Sequence, residues 1–299
     1  MRITVSSRIV ALTAGAALAV GAQALLPLTA TAAAASPVTH GRHAPAIHPP
    51  HRARAARGTA WVTGDSGGRG LRLVHGGPAA DAIGKIFFSL GDTDYVCSGA
   101  LVRGRRADVV LTAAHCVRNG RGQWATDWTF VPGYNDGADP YGQYNARRFF
   151  VSPRWTGPAT GNERYDVAFV QVTPVTAGPR AARVGAPRGL PIRFSAGPAA
   201  APGRDYVFGY PALAPFTGLY ANYCAGRAVA SAARPGSVRT PCAMTAGDSG
   251  GPWLSDFSPR TGTGVITAVT AYKLSGNMRM LYGAVLGPVA RALYLRAST

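Results

Sequence analysis

The residue with the clearest capacity for chemistry is Ser249, in the glycine-rich segment Gly-Asp-Ser-Gly-Gly-Pro at 247–252. A serine hydroxyl is a poor nucleophile at neutral pH, and it needs a neighbouring base to take its proton. His115 is the only histidine after residue 75, and it lies in Leu-Thr-Ala-Ala-His-Cys at 111–116. The two segments together predict acyl transfer by Ser249 with His115 as the general base.

The serine segment also fits G-x-S-x-G, the nucleophile elbow of α/β-hydrolases. In that fold the acid and the histidine follow the serine, whereas no histidine follows Ser249 in this chain. The order histidine, aspartate, serine is the other arrangement of the same triad. His115 precedes Ser249 with acidic residues between them, so the chain order argues against an α/β-hydrolase.

Asp166 is the best candidate for the acid that orients the histidine. It opens the run Asp-Val-Ala-Phe-Val-Gln-Val, which is typical of a buried strand. A catalytic carboxylate must be shielded from water and held in one position in order to orient the imidazole. Asp136 and Asp139 lie in a turn-like segment. A solvated turn is favoured over a calcium loop there, because no spaced set of oxygen ligands completes one.

These segments resemble the chymotrypsin-like serine proteases, and the resemblance extends from residue 83 to the C-terminus. The matching parts are Cys-Ser-Gly at 97–99, Thr-Ala-Ala-His-Cys at 112–116, Asp-Val-Ala at 166–168 and Gly-Asp-Ser-Gly-Gly-Pro-Trp at 247–253. Phe-Gly-Tyr-Pro at 208–211 and Cys-Ala-Met-Thr at 242–245 are more similar to the bacterial glutamyl-endopeptidase-like branch than to animal trypsins.

The resemblance implies a peptide-hydrolysing triad of His115, Asp166 and Ser249, with the backbone N–H groups of Gly247 and Ser249 as the oxyanion hole. It implies a protein or peptide substrate and an acyl-enzyme intermediate, without a cofactor or a metal. Two alternatives stay open. A catalytically silent binding module is disfavoured because all three triad residues are present, and an esterase would use the same chemistry.

The substrate pocket is the least determined part of the site. The resemblance places Ala243, Met244, Thr270, Ala271 and Tyr272 around it. Ala243 is neutral where a trypsin-like enzyme has an acid, and no second histidine is available for the arrangement common in glutamate-specific enzymes. We expect a small or apolar side chain on the acyl side of the scissile bond, with Tyr272 narrowing the pocket.

Four cysteines allow three pairings, and the sequence does not choose between them. Local spacing favours Cys97 with Cys116 and Cys224 with Cys242, and the resemblance implies the first of these bridges. Free thiols would be expected only in a cytosolic protein.

The N-terminus has the layout of a secretory signal peptide. Two arginines precede an uncharged run at 9–28, and Ala-Thr-Ala at 30–32 and Ala-Ala-Ala at 33–35 both fit the small-residue cleavage pattern. We expect a signal peptide at 1–35 and an extracellular protein. A retained membrane anchor is the alternative, which the small-residue tail weakens.

Two further segments follow the leader. Residues 36–75 hold five of the six histidines, with arginines and prolines, and have too little apolar periodicity to bury a core. We expect a disordered propeptide or linker there. Residues 76–299 form one globular block, in which short apolar runs alternate with glycine and proline.

That alternation predicts an all-β fold, a sandwich or a barrel. The resemblance implies two six-stranded antiparallel β-barrels with the active site in the cleft between them. Residues 288–296 predict a short helix, since proline suits a first turn. The net charge is +18, but the sequence has no basic helix and no basic patch interleaved with aromatic residues, so we expect no nucleic-acid partner. We also expect a monomer that leaves the membrane after signal cleavage.

Overall fold

The computed structural model describes residues 66–74, 77–105, 108–195 and 204–299, together with the backbone of two short strands at 30–32 and 36–38. In chain order the strands are β1 (Ala30–Ala32), β2 (Ser36–Val38), β3 (Leu71–Arg72), β4 (Ile83–Leu90), β5 (Thr93–Val102), β6 (Asp108–Thr112), β7 (Thr126–Pro132), β8 (Tyr144–Val151), β9 (Ala168–Pro174), β10 (Asp205–Gly209), β11 (Asn222–Gly226), β12 (Val229–Ala230), β13 (Ser237–Pro241), β14 (Pro252–Ser258), β15 (Thr263–Leu274) and β16 (Asn277–Val285). The α-helices are α1 (Gly77–Ala82), α2 (Ala181–Val184) and α3 (Pro288–Ala297), and 3₁₀ turns lie at Ala114–Cys116 and Glu163–Tyr165.

The first sheet closes into a six-stranded antiparallel barrel. Its ladder runs β5–β4–β7–β8–β9–β6, and β6 pairs back with β5, with Ala100 opposite Leu111. β2 lies outside this ring and pairs with β5. A closed ring has no unpaired edges, so a residue at the end of one of its strands is held by neighbours on both sides.

The second sheet is larger and runs β12–β13–β16–β15–β14–β10–β11–β3, with β1 added to β15. Six of these strands, from β13 to β11, correspond to the expected second barrel. β11 and β13 lie in contact, and a disulfide between Cys224 in β11 and Cys242 directly after β13 joins them. The second barrel is therefore closed by a covalent bridge where the described residues show no ladder.

Strand β9 shows why the C-terminal helix belongs to the first barrel. Its residues from Ala168 to Val172 are all buried, because one face lies in the barrel and α3 covers the other. Phe169 contacts Tyr294 with ring centroids 5.6 Å apart, and the Gln171 amide donates to the Ala297 carbonyl at 3.1 Å. The expected helix is confirmed, with Pro288 in its first turn.

Residues 66–74, which lie within the segment predicted as a propeptide or linker, contact the second sheet. The Ser66 hydroxyl donates to the Ala225 carbonyl at 3.2 Å and accepts the Ala225 N–H at 3.0 Å. β3 pairs with β11, with Leu71 opposite Tyr223. Residues 66–74 thus extend the second sheet. Most of the remaining 36–75 segment, for which we predicted disorder, lies outside the described residues.

The expected all-β architecture is confirmed. The apolar run that follows Asp166 forms β9 from Ala168 onward. No described helix is long and apolar enough to cross a membrane. Residues 1–35, for which we predicted a signal peptide, lie outside the described residues except for the backbone of β1.

Candidate active site

His115 and Asp166 meet at one end of the first barrel. His115 lies in the 3₁₀ turn that follows β6, and Asp166 lies between a second 3₁₀ turn and β9. β6 and β9 are paired neighbours, with Thr112 opposite Ala168. The ladder therefore brings two residues that are 51 positions apart in the chain into contact.

The Asp166 carboxylate holds His115 at two points. Its Oδ2 lies 2.7 Å from the imidazole Nδ1, and its Oδ1 accepts the His115 backbone N–H at 2.9 Å. Asp166 is fully buried and His115 is 6% exposed. Because an ionised carboxylate only accepts hydrogen bonds, the arrangement places the proton on Nδ1. The imidazole is thus fixed in orientation and tautomer.

Ser249 lies in the turn that leads into β14 of the second barrel. The turn is held to β15, since the Gly250 N–H donates to the Thr270 carbonyl at 2.8 Å and the Thr270 N–H donates to the Gly251 carbonyl at 2.9 Å. Gly247 and Gly250 have φ of 104° and 78°, a region that favours glycine. Ser249 itself is fully buried.

Ser98 connects the two barrels at this turn. Its N–H donates to the Ser249 carbonyl at 2.8 Å, and its hydroxyl donates to the Gly247 carbonyl at 2.8 Å. The same hydroxyl accepts the Tyr210 N–H at 2.8 Å. One residue of β5 in the first barrel therefore fixes the backbone on either side of Asp248, with its hydroxyl on Gly247 and its backbone N–H on Ser249. We did not single out Ser98 from the sequence, although it lies in the Cys-Ser-Gly segment that carried the resemblance.

A β-carbon would not fit where the serine turn meets the first barrel. A Cβ on Gly250 would lie 2.1 Å from Thr112 Oγ1 and 2.5 Å from the Ser98 carbonyl oxygen, and one on Gly251 would lie 1.9 Å from the Phe208 carbonyl oxygen. Close packing against Thr112, Ser98 and Phe208 therefore requires glycine at both positions after Ser249.

Both predicted disulfides are present, and one of them supports the site directly. Cys97 is bonded to Cys116, so it ties the residue after His115 to the residue before Ser98. Among the described residues, Cys97, His115 and Cys116 form the one group whose potential metal-ligand atoms lie close together. Its two sulfurs are taken up by the disulfide, so this group does not offer a metal site.

Asp248, which directly precedes Ser249 in the chain, is a buried carboxylate. It is fully buried, and neither carboxylate oxygen accepts a hydrogen bond from a described residue. Burial raises the pKa of Asp248 to about 7, while the positive charges of Lys273 and His115 act in the opposite direction. Burial lowers the pKa of Lys273, which the Asp248 carboxylate opposes.

The residues predicted for the substrate pocket have different surroundings. Tyr272 lies near the C-terminal end of β15, and its ring stacks on that of Tyr282 with the centroids 4.9 Å apart. Thr270 instead accepts a hydrogen bond from the Trp253 indole at 3.0 Å, and Met244 packs in the apolar interior of the second barrel.

The other two predicted pocket residues lie in the same part of the second barrel. Ala271 is fully buried beside Tyr272, and Ala243 is partly exposed and donates its N–H to the Gly68 carbonyl at 2.7 Å. Lys273, which the sequence did not draw attention to, is 2% exposed, and its Nζ donates to the Cys242 carbonyl at 2.7 Å and the Met278 carbonyl at 2.6 Å.

The family described as "Trypsin-like peptidase domain" matches residues 97–257, more than half of the chain. The chain belongs to the trypsin-like peptidase family. The match begins at the first bridged cysteine and includes His115, Asp166 and Ser249. The chain is thus a peptidase, a hydrolase of the trypsin-like type.

Solved structures of chymotrypsin-fold serine proteases are similar to this trypsin-like peptidase. Protease Anisep from Arthrobacter nicotinovorans is 35% identical, with a TM-score of 0.63 over 74% of this chain and 97% of that one. A thermostable serine protease from an extremophilic microorganism is 29% identical, with a TM-score of 0.62 over 73% and 97%. A Glu endopeptidase is 17% identical with a TM-score of 0.59 over 77% of this chain and 96% of that one, which shows the shared fold alone.

A curated relative matches a smaller part of the trypsin-like chain. The Extracellular metalloprotease of Bacillus subtilis (strain 168) is 37% identical over 71 residues, which are 24% of this chain and 22% of that protein. The chain therefore spans about a fifth of the length of this relative.

Proposed function

We propose that this trypsin-like peptidase is a secreted serine endopeptidase with Ser249 as nucleophile, His115 as general base and Asp166 as the acid that orients the histidine. The observation that carries the proposal is the pair of hydrogen bonds that His115 donates to the Asp166 carboxylate, at 2.7 Å from Nδ1 and 2.9 Å from the backbone N–H. A proton on Nδ1 leaves Nε2 as the basic nitrogen, which is the form a general base requires.

The reaction proceeds in two halves. Ser249 Oγ bonds to the peptide carbonyl carbon while its proton passes to His115 Nε2. The carbonyl oxygen becomes an oxyanion, which the N–H groups of Gly247 and Ser249 stabilise. His115 then gives the proton to the leaving amine, the C–N bond breaks, and an ester joins Ser249 to the acyl half.

Water completes the second half. It attacks the ester carbon as His115 Nε2 takes one of its protons, and the same proton returns to Ser249 Oγ when the carboxylic acid leaves. Asp166 stays ionised and stabilises the imidazolium that forms in each half. No cofactor is needed for this sequence of proton transfers.

The preferred substrate has a small or apolar side chain on the acyl side of the scissile bond. Two observations support this preference. The predicted pocket position Ala243 carries no charge, and the predicted pocket residue Tyr272 is a large aromatic side chain held in place by stacking on Tyr282. A panel of peptides that vary at this residue tests it, and a strong preference for arginine, lysine or glutamate would contradict it.

The proposed location is extracellular. Two disulfides favour an oxidising compartment, and the arginine-flanked uncharged leader favours a signal peptide at 1–35. Residues 36–75 would then form a propeptide or linker ahead of the catalytic domain. We expect a monomer that binds neither nucleic acid nor membrane in its mature form.

The experiment that tests the function compares the secreted wild type with Ser249→Ala on matched amide and ester substrates. We expect peptide hydrolysis in the wild type and a loss of at least about a thousand-fold in the variant, because no nucleophile remains. Thermal unfolding of both proteins provides the control for folding. Ester cleavage without amide cleavage would indicate an esterase, and a folded wild type that cleaves neither substrate would indicate a silent binding module.

A further inference from the structure

Strand β4 places a lysine at the contact between the two barrels. Lys85 is 6% exposed, and it lies directly opposite Ser98 in the β4–β5 ladder. Side chains at opposite positions of a ladder project from the same face of the sheet. Ser98 and Lys85 therefore reach the second barrel side by side. Ser98 binds the serine turn there, and Lys85 binds a different segment.

The Lys85 ammonium is held by one carbonyl and two aromatic rings. Its Nζ donates to the Gly218 carbonyl at 2.8 Å, and it lies 4.8 and 4.9 Å from the ring centroids of Phe87 and Tyr134. None of the salt bridges among the described residues includes Lys85. Burying a charged group without a counter-ion costs free energy, so an apolar side chain would stabilise the fold more. This cost indicates that the ammonium has a function.

Gly218 closes a compact loop, residues 211–218, that follows β10. Its N–H donates to the Pro211 carbonyl at 2.8 Å, so the two ends of the loop are held together. A Cβ on Gly218 would lie 3.0 Å from the Ala212 Cβ and 3.3 Å from Lys85 Nζ, which shows how closely these groups pack. The bond from Lys85 to the last residue of the loop therefore also holds its first residues in place.

The start of this loop orients the peptide bond that supplies the Gly247 N–H. The Ala212 N–H donates to the Ala246 carbonyl at 2.7 Å, and the Thr245 hydroxyl accepts the Leu213 N–H at 3.1 Å and donates to the Leu213 carbonyl at 2.8 Å. The Ala246 carbonyl and the Gly247 N–H belong to one trans peptide, which is planar, so they point in opposite directions. Fixing this carbonyl therefore fixes the direction of the N–H.

We propose that the Lys85 ammonium is a positioning group for the oxyanion hole, and that it acts through the loop 211–218 on the peptide between Ala246 and Gly247. The inference rests on the proposed function, because it concerns the oxyanion formed when Ser249 attacks a substrate. A donor of the hole acts only where its N–H is aimed at the developing charge. A loosened loop should therefore slow the chemical step and leave substrate binding unchanged.

The charge on Lys85 gives this arrangement a dependence on pH. Burial lowers the pKa of Lys85 from 10.5 to about 8. Its ladder partners Ser98 and Val131 and the loop 211–218 carry no titratable side chain, and burial raises the pKa of Tyr134, which faces the ammonium. A hydrogen bond from a charged donor is about twice as strong as one from a neutral donor. The hold on the loop should therefore weaken as pH rises through about 8.

The first test compares wild type and Lys85→Met on one peptide substrate at pH 7, since methionine fills the site without a donor. A displacement of 1 Å can cost about a hundred-fold in rate, and the loop keeps its other bonds. We therefore expect kcat to fall about ten-fold, with KM within two-fold of the wild type. A peptide trifluoromethyl ketone, whose adduct with Ser249 carries an oxyanion, should bind more weakly by the same factor.

Tyr220→Phe is the matched control. The Tyr220 hydroxyl donates to Asp136 Oδ2 at 2.8 Å on the exposed side, just after the loop, so this variant also removes a contact of this region with the first barrel. It leaves the Lys85 bond in place, and kcat should stay within two-fold of the wild type.

The second test measures kcat against pH for wild type and Lys85→Arg, because a guanidinium stays charged throughout this range. We expect the wild-type kcat to fall about three-fold between pH 7 and pH 9.5, since the bond loses its ionic character. Lys85→Arg should keep its own pH 7 value. Thermal unfolding of each protein at each pH provides the control for folding.

The outcomes separate this inference from the proposed function. An unchanged kcat in Lys85→Met, or an equal fall in Tyr220→Phe, would overturn the inference and leave the serine peptidase intact. A flat wild-type pH profile, or an equally steep one for Lys85→Arg, would also overturn it. A folded wild type without peptidase activity would overturn the proposed function itself, and this inference with it.

Discussion

The two barrels contribute to the site in different ways. The first barrel is closed by hydrogen-bonded ladders, and it supplies two side chains, His115 and Asp166, that hold one another. The second barrel is closed by a disulfide, and it supplies a backbone turn in which Ser249 is placed by glycines and by hydrogen bonds to neighbouring strands. The proposed base is positioned by side-chain hydrogen bonds, and the proposed nucleophile is positioned by main-chain conformation.

This difference predicts how substitutions in the two barrels will affect catalysis. A substitution in the first barrel should change proton transfer and leave the fold intact, whereas a substitution in the serine turn should change the relative position of the barrels. Ser98 links the two, because its N–H and hydroxyl bind the carbonyls of Ser249 and Gly247.

The largest effect is expected for Asp166→Asn. The amide retains the shape of the carboxylate and one acceptor, but its NH₂ group facing Nδ1 would stabilise the wrong tautomer of His115. We expect kcat to fall about 10⁴-fold with little change in the unfolding temperature. Asp136→Asn, in an exposed turn, is the matched control. A fall of less than ten-fold for Asp166→Asn would show that this carboxylate does not set the tautomer.

Gly250→Ala should damage the contact between the barrels. The new Cβ would approach Thr112 Oγ1 and the Ser98 carbonyl to within 2.5 Å, so the serine turn must move, and a displacement of 1 Å can cost about a hundred-fold in rate. We expect that loss in kcat/KM together with a lower unfolding temperature.

Gly276→Ala is the control for backbone strain alone. Its φ of 86° is close to the 78° of Gly250, but nothing lies within 4 Å of the added Cβ. We expect a cost of about 1–2 kcal/mol in stability and unchanged activity. Equal losses of activity at the two positions would show that left-handed strain, and not the clash at the barrel contact, is responsible.

Removal of each disulfide should lower the stability by a similar amount but should affect kcat differently. They close loops of nearly equal length, with sequence separations of 19 and 18, so each is expected to contribute about 3 kcal/mol. Replacing Cys97 and Cys116 by alanine loosens the turn of His115, and we expect kcat to fall about ten-fold at a temperature where the protein is folded.

Replacing Cys224 and Cys242 by alanine is the comparison. This bridge lies at the closure of the second barrel, away from the histidine turn, and we expect kcat within two-fold of the wild type. Denaturant titrations of both variants provide the stability measurement. If both double variants lose the same activity, the assignment of the first bridge to the catalytic turn is wrong.

The smallest effect is expected from Asp248, and it depends on pH. Burial raises its pKa to about 7, so the folded state holds this proton more tightly than the unfolded state. The stabilisation is present in full below the unfolded pKa of about 4 and is lost as pH rises through about 7. Asp248→Asn should remove this contribution. The difference in unfolding temperature between variant and wild type should therefore grow in favour of the variant by a few degrees from pH 4 to 7.

The sequence predicted the features that depend on residues close together in the chain. The apolar runs predicted strands, Pro288 predicted the first turn of the last helix, and the order of His115, Asp166 and Ser249 separated this fold from the α/β-hydrolases. The structure adds the contact between Asp166 and His115, which depends on the β6–β9 pairing. Strand pairing between distant segments is not encoded in any short motif.

Other features could not be predicted because they depend on packing between the barrels. Nothing in the Cys-Ser-Gly segment indicates that Ser98 binds the serine turn, and nothing in the sequence around Lys273 indicates that its ammonium is buried on two carbonyls. Met244 packs in the apolar interior with strand residues such as Val207 and Leu281, which lie far from it in the sequence.

The central claim is that the two barrels together activate Ser249. It is tested most directly by the rate of fluorophosphonate labelling of the secreted protein after leader removal, with the modified residue identified by mass spectrometry. The account predicts labelling at Ser249 alone, with a loss of at least a hundred-fold in His115→Ala, a factor within the usual contribution of a general base. Labelling at another residue, or labelling of Ser249 at an unchanged rate in His115→Ala, would contradict it.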